Sequence, residues 1–155
     1  GKMLNVDTIK NGLVIDHICA GYGPKIFQWL GLDKAKFSSA LIMNVPSKKN
    51  SRKDIIKIDN IINIDFSVLG FIDTNITVNV IKDEKIIRKI TMELPDKVEN
   101  VVKCKNPRCI TTTEHYVPQI FRLVEKGESI YRCQYCDSLY KAGNITELME
   151  RNSNE

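Results

Sequence analysis

The chain has 155 residues, 43% of them hydrophobic, and a formal net charge of +4 at pH 7. The length suits one ordinary domain or two small ones, and the apolar content excludes a disordered chain. The charge is too small for a strongly basic nucleic-acid-binding surface. No export signal and no apolar run of about 18 residues is present, so we expect a cytoplasmic protein with no membrane and no nucleic-acid partner.

The first 95 residues alternate between strand-like and helix-like segments. Helices are predicted over residues 24–32, where Pro24 marks a start, and 65–73. Strands are predicted over residues 12–19, 39–45, 53–60, 75–81 and 85–94, the last two forming a hairpin. This order predicts an α+β fold, in which two helices cover a mixed or antiparallel sheet of the ferredoxin-like type.

A domain boundary is predicted near Pro95, where the strand pattern ends and cysteine pairs begin. We place the first domain at residues 1–97 and the second, a small all-β, zinc-ribbon-like domain, at 98–155. About 58 residues cannot bury an adequate core unaided, so the second domain requires a further source of stability. Near its end, residues 144–151 predict a short helix with Asn144 as its N-cap.

Four of the five cysteines lie in this second domain as a Cys-x4-Cys and a Cys-x2-Cys pair, separated by 23 residues. Two short loops of this kind can present four thiolates to one tetrahedral zinc ion. Two local disulfides or four unrelated thiols are the alternatives, and a reducing compartment disfavours the first. Four protein ligands close the metal shell, so we predict one structural Zn²⁺ per chain, held by Cys104, Cys109, Cys133 and Cys136. The fifth, Cys19, is predicted to be a small buried hydrophobe.

A second unusual feature is the pair Asp16 and His17 inside the first predicted strand. The pair could belong to a metal site, an acid–base dyad, a ligand-binding patch or a solvated strand face. The cysteines account for a metal, and neighbouring strand residues face apart, which disfavours a dyad. Lys57 and Lys89 interrupt β-branched runs in other strands, as either solvent-facing residues or part of an anion-binding cluster.

Taken together, "GLVIDHI", "PSKKNSRKDIIKI", "TVNVI" and the cysteine pattern closely resemble the regulatory chain of aspartate carbamoyltransferase, from Leu4 to about Lys141. The resemblance implies a non-catalytic chain with a nucleotide-binding allosteric domain and a zinc domain that contacts the catalytic chain. It also implies a regulatory-chain dimer, a role in pyrimidine biosynthesis, and CTP, UTP or ATP as ligands, with Mg²⁺ as an accompanying ion.

By the same resemblance, the nucleotide pocket combines polar groups from several strands with an apolar rim. The residues implied are Val6, Ile9, Val14, Asp16, His17, Lys53, Lys57, Asn79, Ile81, Ile86 and Lys89. His17 and Lys89 would lie near the phosphates, and Lys57 near the ribose and base. Glu84 stands where the family can have a tyrosine, so no base-stacking side chain is implied there.

The alternative is a zinc-ribbon RNA-binding protein, similar in layout to a translation initiation factor. Cations around the cysteine pairs, together with Tyr131 and Tyr135, favour it. The modest net charge and the glutamates of the same segment disfavour it.

Overall fold

The structure, a computed structural model, describes residues 8–48, 52–63 and 65–150. The chain divides into two compact units, each with one antiparallel sheet, and the predicted α+β class is confirmed at this level. The first unit holds the described residues up to Asp65 and Asp73–Met92, and the second holds Phe66–Ile72 and the described residues from Glu93. None of the described helices is long and apolar enough to cross a membrane.

The first unit is a five-stranded sheet with strand order β2-β3-β1-β4-β5. Its core consists mainly of isoleucine, leucine and valine side chains at alternate strand positions, as a sheet with one buried face requires, and Ile26 and Leu32 from outside the strands join them. The elements are β1 (Gly12–Cys19), α1 (Gly23–Trp29), β2 (Ser39–Pro46), β3 (Arg52–Ile58), β4 (Thr77–Lys82) and β5 (Lys85–Thr91).

Strand β1 contains a bulge at the Asp16–His17 pair. Ile15 pairs with Ile56 and Ile18 pairs with Asp54, so two residues of β1 stand opposite one of β3. Ile15 and Ile18 are both fully buried, whereas the pair between them is half-buried. The premise that neighbouring residues must face apart is therefore wrong here, because the extra residue His17, with φ of 60°, leaves the alternation while Asp16 still pairs with Thr77 of β4.

Glycine and turn conformations set two element boundaries in this unit. Helix α1 ends at Trp29, three residues earlier than predicted, because Gly31 adopts a left-handed conformation with φ of 75°. The predicted β4–β5 hairpin is present, and its two turn residues, Asp83 and Glu84, both have positive φ. The Glu84 backbone N–H donates to the Lys10 carbonyl at 2.9 Å, which ties the turn to the segment before β1.

One buried carboxylate joins three segments of the first unit. Asp54 is fully buried in β3 and accepts hydrogen bonds from the backbone N–H groups of Gly21, Gly23 and Asn44 at 3.0, 2.9 and 3.1 Å. A Cβ at Gly23 would lie 2.7 Å from the Asp54 carboxylate, so the turn approaches this closely only with glycine.

The second unit is a four-stranded sheet with strand order β6-β7-β8-β9 and a core that contains helix α2. Phe71 of α2 makes an edge contact with Tyr131, with ring centroids 4.9 Å apart, and stacks on Tyr140 at 5.9 Å. The elements are α2 (Phe66–Ile72), β6 (Lys97–Glu99), α3 (Ile110–Thr113), β7 (Ile120–Glu125), β8 (Ile130–Cys133) and β9 (Leu139–Lys141).

Two further sequence-based expectations differ from the observed fold. Helix α2, predicted to cover the first sheet, belongs to the second unit, where the apolar residues Val68–Ile72 are all buried. The predicted helix at 144–151 is only one 3₁₀ turn, Ile145–Glu147, within the described residues up to 150. Asn144 caps it through Thr146 N, but Leu148 then pairs with Val102 in a β-bridge, which ends the turn.

Candidate metal centre and ligand-binding face

The four cysteines of the second unit come together as one cluster. The sulfur atoms of Cys104, Cys109, Cys133 and Cys136 all lie within 4.8 Å of one another. Cys104 Sγ lies 3.5 Å from Cys136 Sγ, and Cys109 Sγ lies 3.7 Å from Cys133 Sγ, so each contact joins one cysteine pair to the other. Four sulfurs about 2.3 Å from a central metal stand about 3.8 Å apart, so the cluster fits tetrahedral coordination. The local disulfides considered as an alternative are absent.

Neighbouring side chains hold the cysteines in position. Thr111 Oγ1 lies 3.0 Å from Cys109 Sγ, and Ser138 Oγ lies 3.2 Å from Cys136 Sγ, each two residues beyond its cysteine. The buried Gln119 accepts a 2.9 Å hydrogen bond from Cys104 N. Such outer contacts orient metal ligands and tune their affinity. The two hydroxyls could have been predicted from their local spacing, but Gln119 could not, because only the fold brings it to Cys104.

Burial and local hydrogen bonds shift the pKa values of the cluster thiols in opposite directions. Burial raises the pKa of Cys104 to about 12 and raises that of Cys133. Burial acts in the same direction on Cys136, but hydrogen bonds, chiefly from Ser138, outweigh it and lower the pKa to about 6. A metal ion bound at the centre of the cluster would offset the cost of burying charged thiolates there.

The second candidate site is the face of the first sheet opposite its core. Strand register places Lys57 opposite Val14, Val14 opposite Asn79, and Asn79 opposite Lys89. Directly paired residues share a face, so these four form one row across four strands. The sequence-predicted residues from four separate segments therefore meet on one surface, which we call the ligand face.

Within this row, the side-chain oxygen of Asn79 has no hydrogen-bond partner in the described structure. This atom, Oδ1, is buried. Lys57 is half-buried and Lys89 is exposed, and neither forms an ion pair with a described residue. The row therefore contains a buried acceptor without a hydrogen bond and two lysines without an ion pair among the described residues. Polar groups left unpaired in this way are typical of a site that receives a ligand.

The Asp16–His17 bulge lies beside this row. Asp16 Oδ1 accepts a 2.6 Å hydrogen bond from the backbone N–H of His17 and forms a 2.9 Å ion pair with Lys53 Nζ. His17 Nδ1 is 3.1 Å from Thr77 Oγ1, a partner not predicted from the sequence because it depends on the β1–β4 register. Asp16 therefore fixes the bulge, and Thr77 fixes the histidine ring.

The adjacent row of the ligand face, two residues along β1 and β4, is apolar. Gly12 pairs with Ile81, which pairs with Ile86, and the Ile9 side chain contacts the position that a Gly12 Cβ would occupy. Ile81 is buried, Ile9 is half-buried and Ile86 is 62% exposed. Val6, also predicted here, lies outside the described residues. Cys19 is exposed, so its predicted burial is wrong; it follows the bulge at the end of β1.

The fold and the cysteine cluster define a two-unit α+β protein with a structural metal-binding unit in its C-terminal third. The chain belongs to the aspartate carbamoyltransferase regulatory chain family. The family model described as "Aspartate carbamoyltransferase regulatory chain, allosteric domain" matches residues 4–93, and "Aspartate carbamoyltransferase regulatory chain, metal binding domain" matches residues 96–146.

Relatives agree with this assignment over nearly the whole chain. The aspartate carbamoyltransferase regulatory chains of Clostridium acetobutylicum and Clostridium botulinum are 54% and 57% identical over 146 residues, which is 94% of this chain and 100% of each relative. That of Bifidobacterium longum is 45% identical over 134 residues, 86% of this chain and 96% of the relative.

Regulatory chains are non-catalytic subunits, so the prediction of a non-catalytic chain is confirmed on the ground of these relatives. The RNA-binding alternative finds no support in the comparisons. Tyr131, which favoured it, is fully buried against Phe71 and cannot stack on a base.

Proposed function

We propose that this chain binds nucleoside triphosphates on its ligand face and regulates the catalytic chain of aspartate carbamoyltransferase in pyrimidine biosynthesis. The observation that carries the proposal is the buried, unpartnered Asn79 Oδ1 in a row with the cations Lys57 and Lys89. An anionic ligand with hydrogen-bond donors satisfies all three groups together. The names of the relatives support the regulatory role.

The chemistry of the ligand face suggests where each part of a nucleotide binds. The apolar end around Ile81 and Ile86 suits a base, whose edge can donate to Asn79 Oδ1. Lys57, half-buried beside Val14, suits the ribose and base, whereas the exposed Lys89 suits the phosphates as a point charge. CTP, UTP and ATP are the proposed ligands, with Mg²⁺ accompanying the triphosphate.

His17 and Lys53 complete the proposed pocket as polar groups held by Asp16. The ion pair between Lys53 and Asp16 leaves the lysine close to the bulge, and Thr77 occupies His17 Nδ1. His17 Nε2 is then the ring atom that would meet a phosphate. Asp16 thus positions Lys53 and His17 and does not itself contact the ligand. This role explains why an acidic residue is present in a site for an anion.

We further propose that the allosteric domain covers residues 1–97 and the metal domain 98–155 of the sequence, a division supported by family models that end at 93 and begin at 96. Within this division, α2 and the residues from Glu93 onwards pack with the second unit. The strand order β2-β3-β1-β4 supports a ferredoxin-like domain with β5 as an added edge strand. An exposed edge strand also supports a regulatory-chain dimer, because edges can pair with a second copy.

The metal is proposed to be one structural Zn²⁺, because four thiolates in tetrahedral spacing are its preferred ligands. When bound, zinc supplies folding free energy to the second unit. The chain's own Thr111, Ser138 and Gln119 orient the ligands for it. A four-thiolate site needs reduced cysteines, which supports a cytoplasmic location.

Regulation would then be a linkage effect. A nucleotide that binds one quaternary state of the complex more tightly shifts the population towards that state, with a coupling free energy of about 1–3 kcal/mol. The metal unit would transmit the effect by contacting the catalytic chain as a rigid body.

The experiment is titration calorimetry of the purified chain with CTP, UTP and ATP, with and without Mg²⁺. We expect Lys89→Ala to weaken triphosphates much more than nucleosides, and Lys57→Ala to weaken both. Lys34→Ala, an exposed lysine after α1, is the matched control and should bind like the unmodified chain. Absence of binding at millimolar nucleotide would contradict the proposed ligand.

A further inference from the structure

The exposed face of the second sheet carries a row of cations that neither the metal centre nor the ligand face uses. Lys97 of β6 pairs with Arg122 of β7, and Arg122 pairs with Arg132 of β8. All three side chains are exposed. We call these three residues the cationic row.

Three cations in a row lower the stability of the folded sheet, so we ask what function would retain them. Like charges directly opposite one another on a sheet are destabilising. None of the three forms an ion pair with a described residue, although Glu99 and Glu125 lie on the neighbouring strand positions. Arg122 is held in place by a 2.8 Å hydrogen bond from its Nε to Gln134 Oε1, which leaves its other guanidinium donors for an acceptor outside the unit.

We infer that the cationic row is the docking surface for an acidic patch on the catalytic chain. This inference rests on the proposed function, which makes the catalytic chain the partner of the metal unit. Adjacent strands lie about 4.8 Å apart, so three strands spread the charges over about 10 Å, wider than one phosphate group and suited to several carboxylates.

The surroundings of the row favour a protein partner over a nucleic acid. The next residue across the sheet is Leu139, an apolar side chain that is 67% exposed at the end of the row. The aromatic residues of these strands, Phe121, Tyr131 and Tyr140, are buried and offer no stacking surface. An apolar contact beside exposed arginines is typical of protein interfaces.

The row is also part of the frame that the metal would fix. Arg132 immediately precedes the ligand Cys133, and Gln134, the partner of Arg122, immediately follows it. The Cys133 backbone N–H donates to the Ser138 carbonyl at 2.8 Å, next to Leu139. The row therefore depends on the metal-binding loop for its shape, and metal loss would remove both together.

The test uses the full chain and the catalytic chain of the same organism, with affinity measured by biolayer interferometry at low and high salt. Arg132→Glu places a carboxylate between Arg122 and Leu139, so it removes a like-charge contact and creates an opposite-charge pair. We expect this variant to keep its metal and to melt no lower than the unmodified chain, yet to assemble at least about tenfold more weakly at low salt.

A control variant and a chelation experiment separate failure of this inference from failure of the proposed function. Lys126→Glu, a charge reversal in the β7–β8 hairpin turn, is the matched control and should assemble normally. If Arg132→Glu and Arg122→Glu/Arg132→Glu assemble like the unmodified chain while chelation abolishes assembly, the inference is wrong and the proposed function stands. If the unmodified chain fails to assemble, the proposed function itself fails. Salt-sensitive binding of a short single-stranded RNA that Arg132→Glu abolishes would overturn the inference in favour of a nucleic acid.

Discussion

Replacing Asn79 by leucine should stabilise the ligand-free chain and weaken nucleotide binding at the same time. The buried Asn79 Oδ1 has no partner in the described structure, and a buried unsatisfied polar atom costs about 1–3 kcal/mol. Leucine has a similar size, removes that cost and suits a strand better than asparagine does. Because the Asn79 side chain is only half-buried, we take the lower end of that range and expect the free energy of unfolding to rise by about 1 kcal/mol.

For a unit of this size, that gain corresponds to a melting temperature about 4–8 °C higher. Loss of one hydrogen bond to the ligand should weaken CTP and ATP about tenfold. Scanning calorimetry and titration calorimetry on the same samples measure both effects. Thr91→Val, a substitution at an exposed position of β5, is the control. It should change neither the melting temperature nor the nucleotide affinity by a measurable amount. A destabilised Asn79→Leu chain with normal binding would show that Asn79 is a structural residue and refute its place in the site.

Three other predictions concern the metal and the buried carboxylate. Chelation of the metal should raise the rate of backbone hydrogen exchange in residues 93–150 and in Phe66–Ile72, but not in the five-stranded sheet. If α2 stayed protected after metal loss, its assignment to the second unit would be wrong. Zinc binding at pH 7 should release at least two protons, because the pKa values of Cys104, about 12, and Cys133 are raised, so apparent affinity should rise with pH; calorimetry in two buffers of different ionisation enthalpy counts the protons. Asp54→Ala should cost about 3–5 kcal/mol of unfolding free energy in urea titrations, because three backbone N–H groups lose a charged acceptor, whereas a loss below about 1 kcal/mol would mean that water replaces it.

The elements of the first sheet could be predicted because hydrophobic alternation is local. Lys53, Ile55 and Lys57 alternate with buried neighbours along β3, and the structure keeps that alternation. The cysteine cluster was predictable for a different reason, since spacing within each pair already restricts the geometry of its loop.

The rest depended on information that lies outside any short segment. The Asp16–His17 bulge changes the direction of one residue, and only the pairing of β1 with β3 reveals it. Helix α2 has an apolar sequence that suits either sheet, and it packs where Gly70 allows close approach to the Glu93 carbonyl, a contact that a Cβ would prevent. The short 3₁₀ turn at Ile145 has a good N-cap, but the β-bridge from Leu148 to Val102 overrides the local helix signal.

The central claim is that nucleotide binding on the first sheet controls an enzyme held by the second unit. Its most direct test is the aspartate saturation curve of the assembled complex, recorded with and without CTP and ATP. We expect at least one nucleotide to shift the midpoint with the unmodified chain, and expect no shift with Lys57→Ala/Lys89→Ala, although that variant still assembles. A complex whose curve is the same with and without both nucleotides, or a shift that persists in the double variant, would contradict the account.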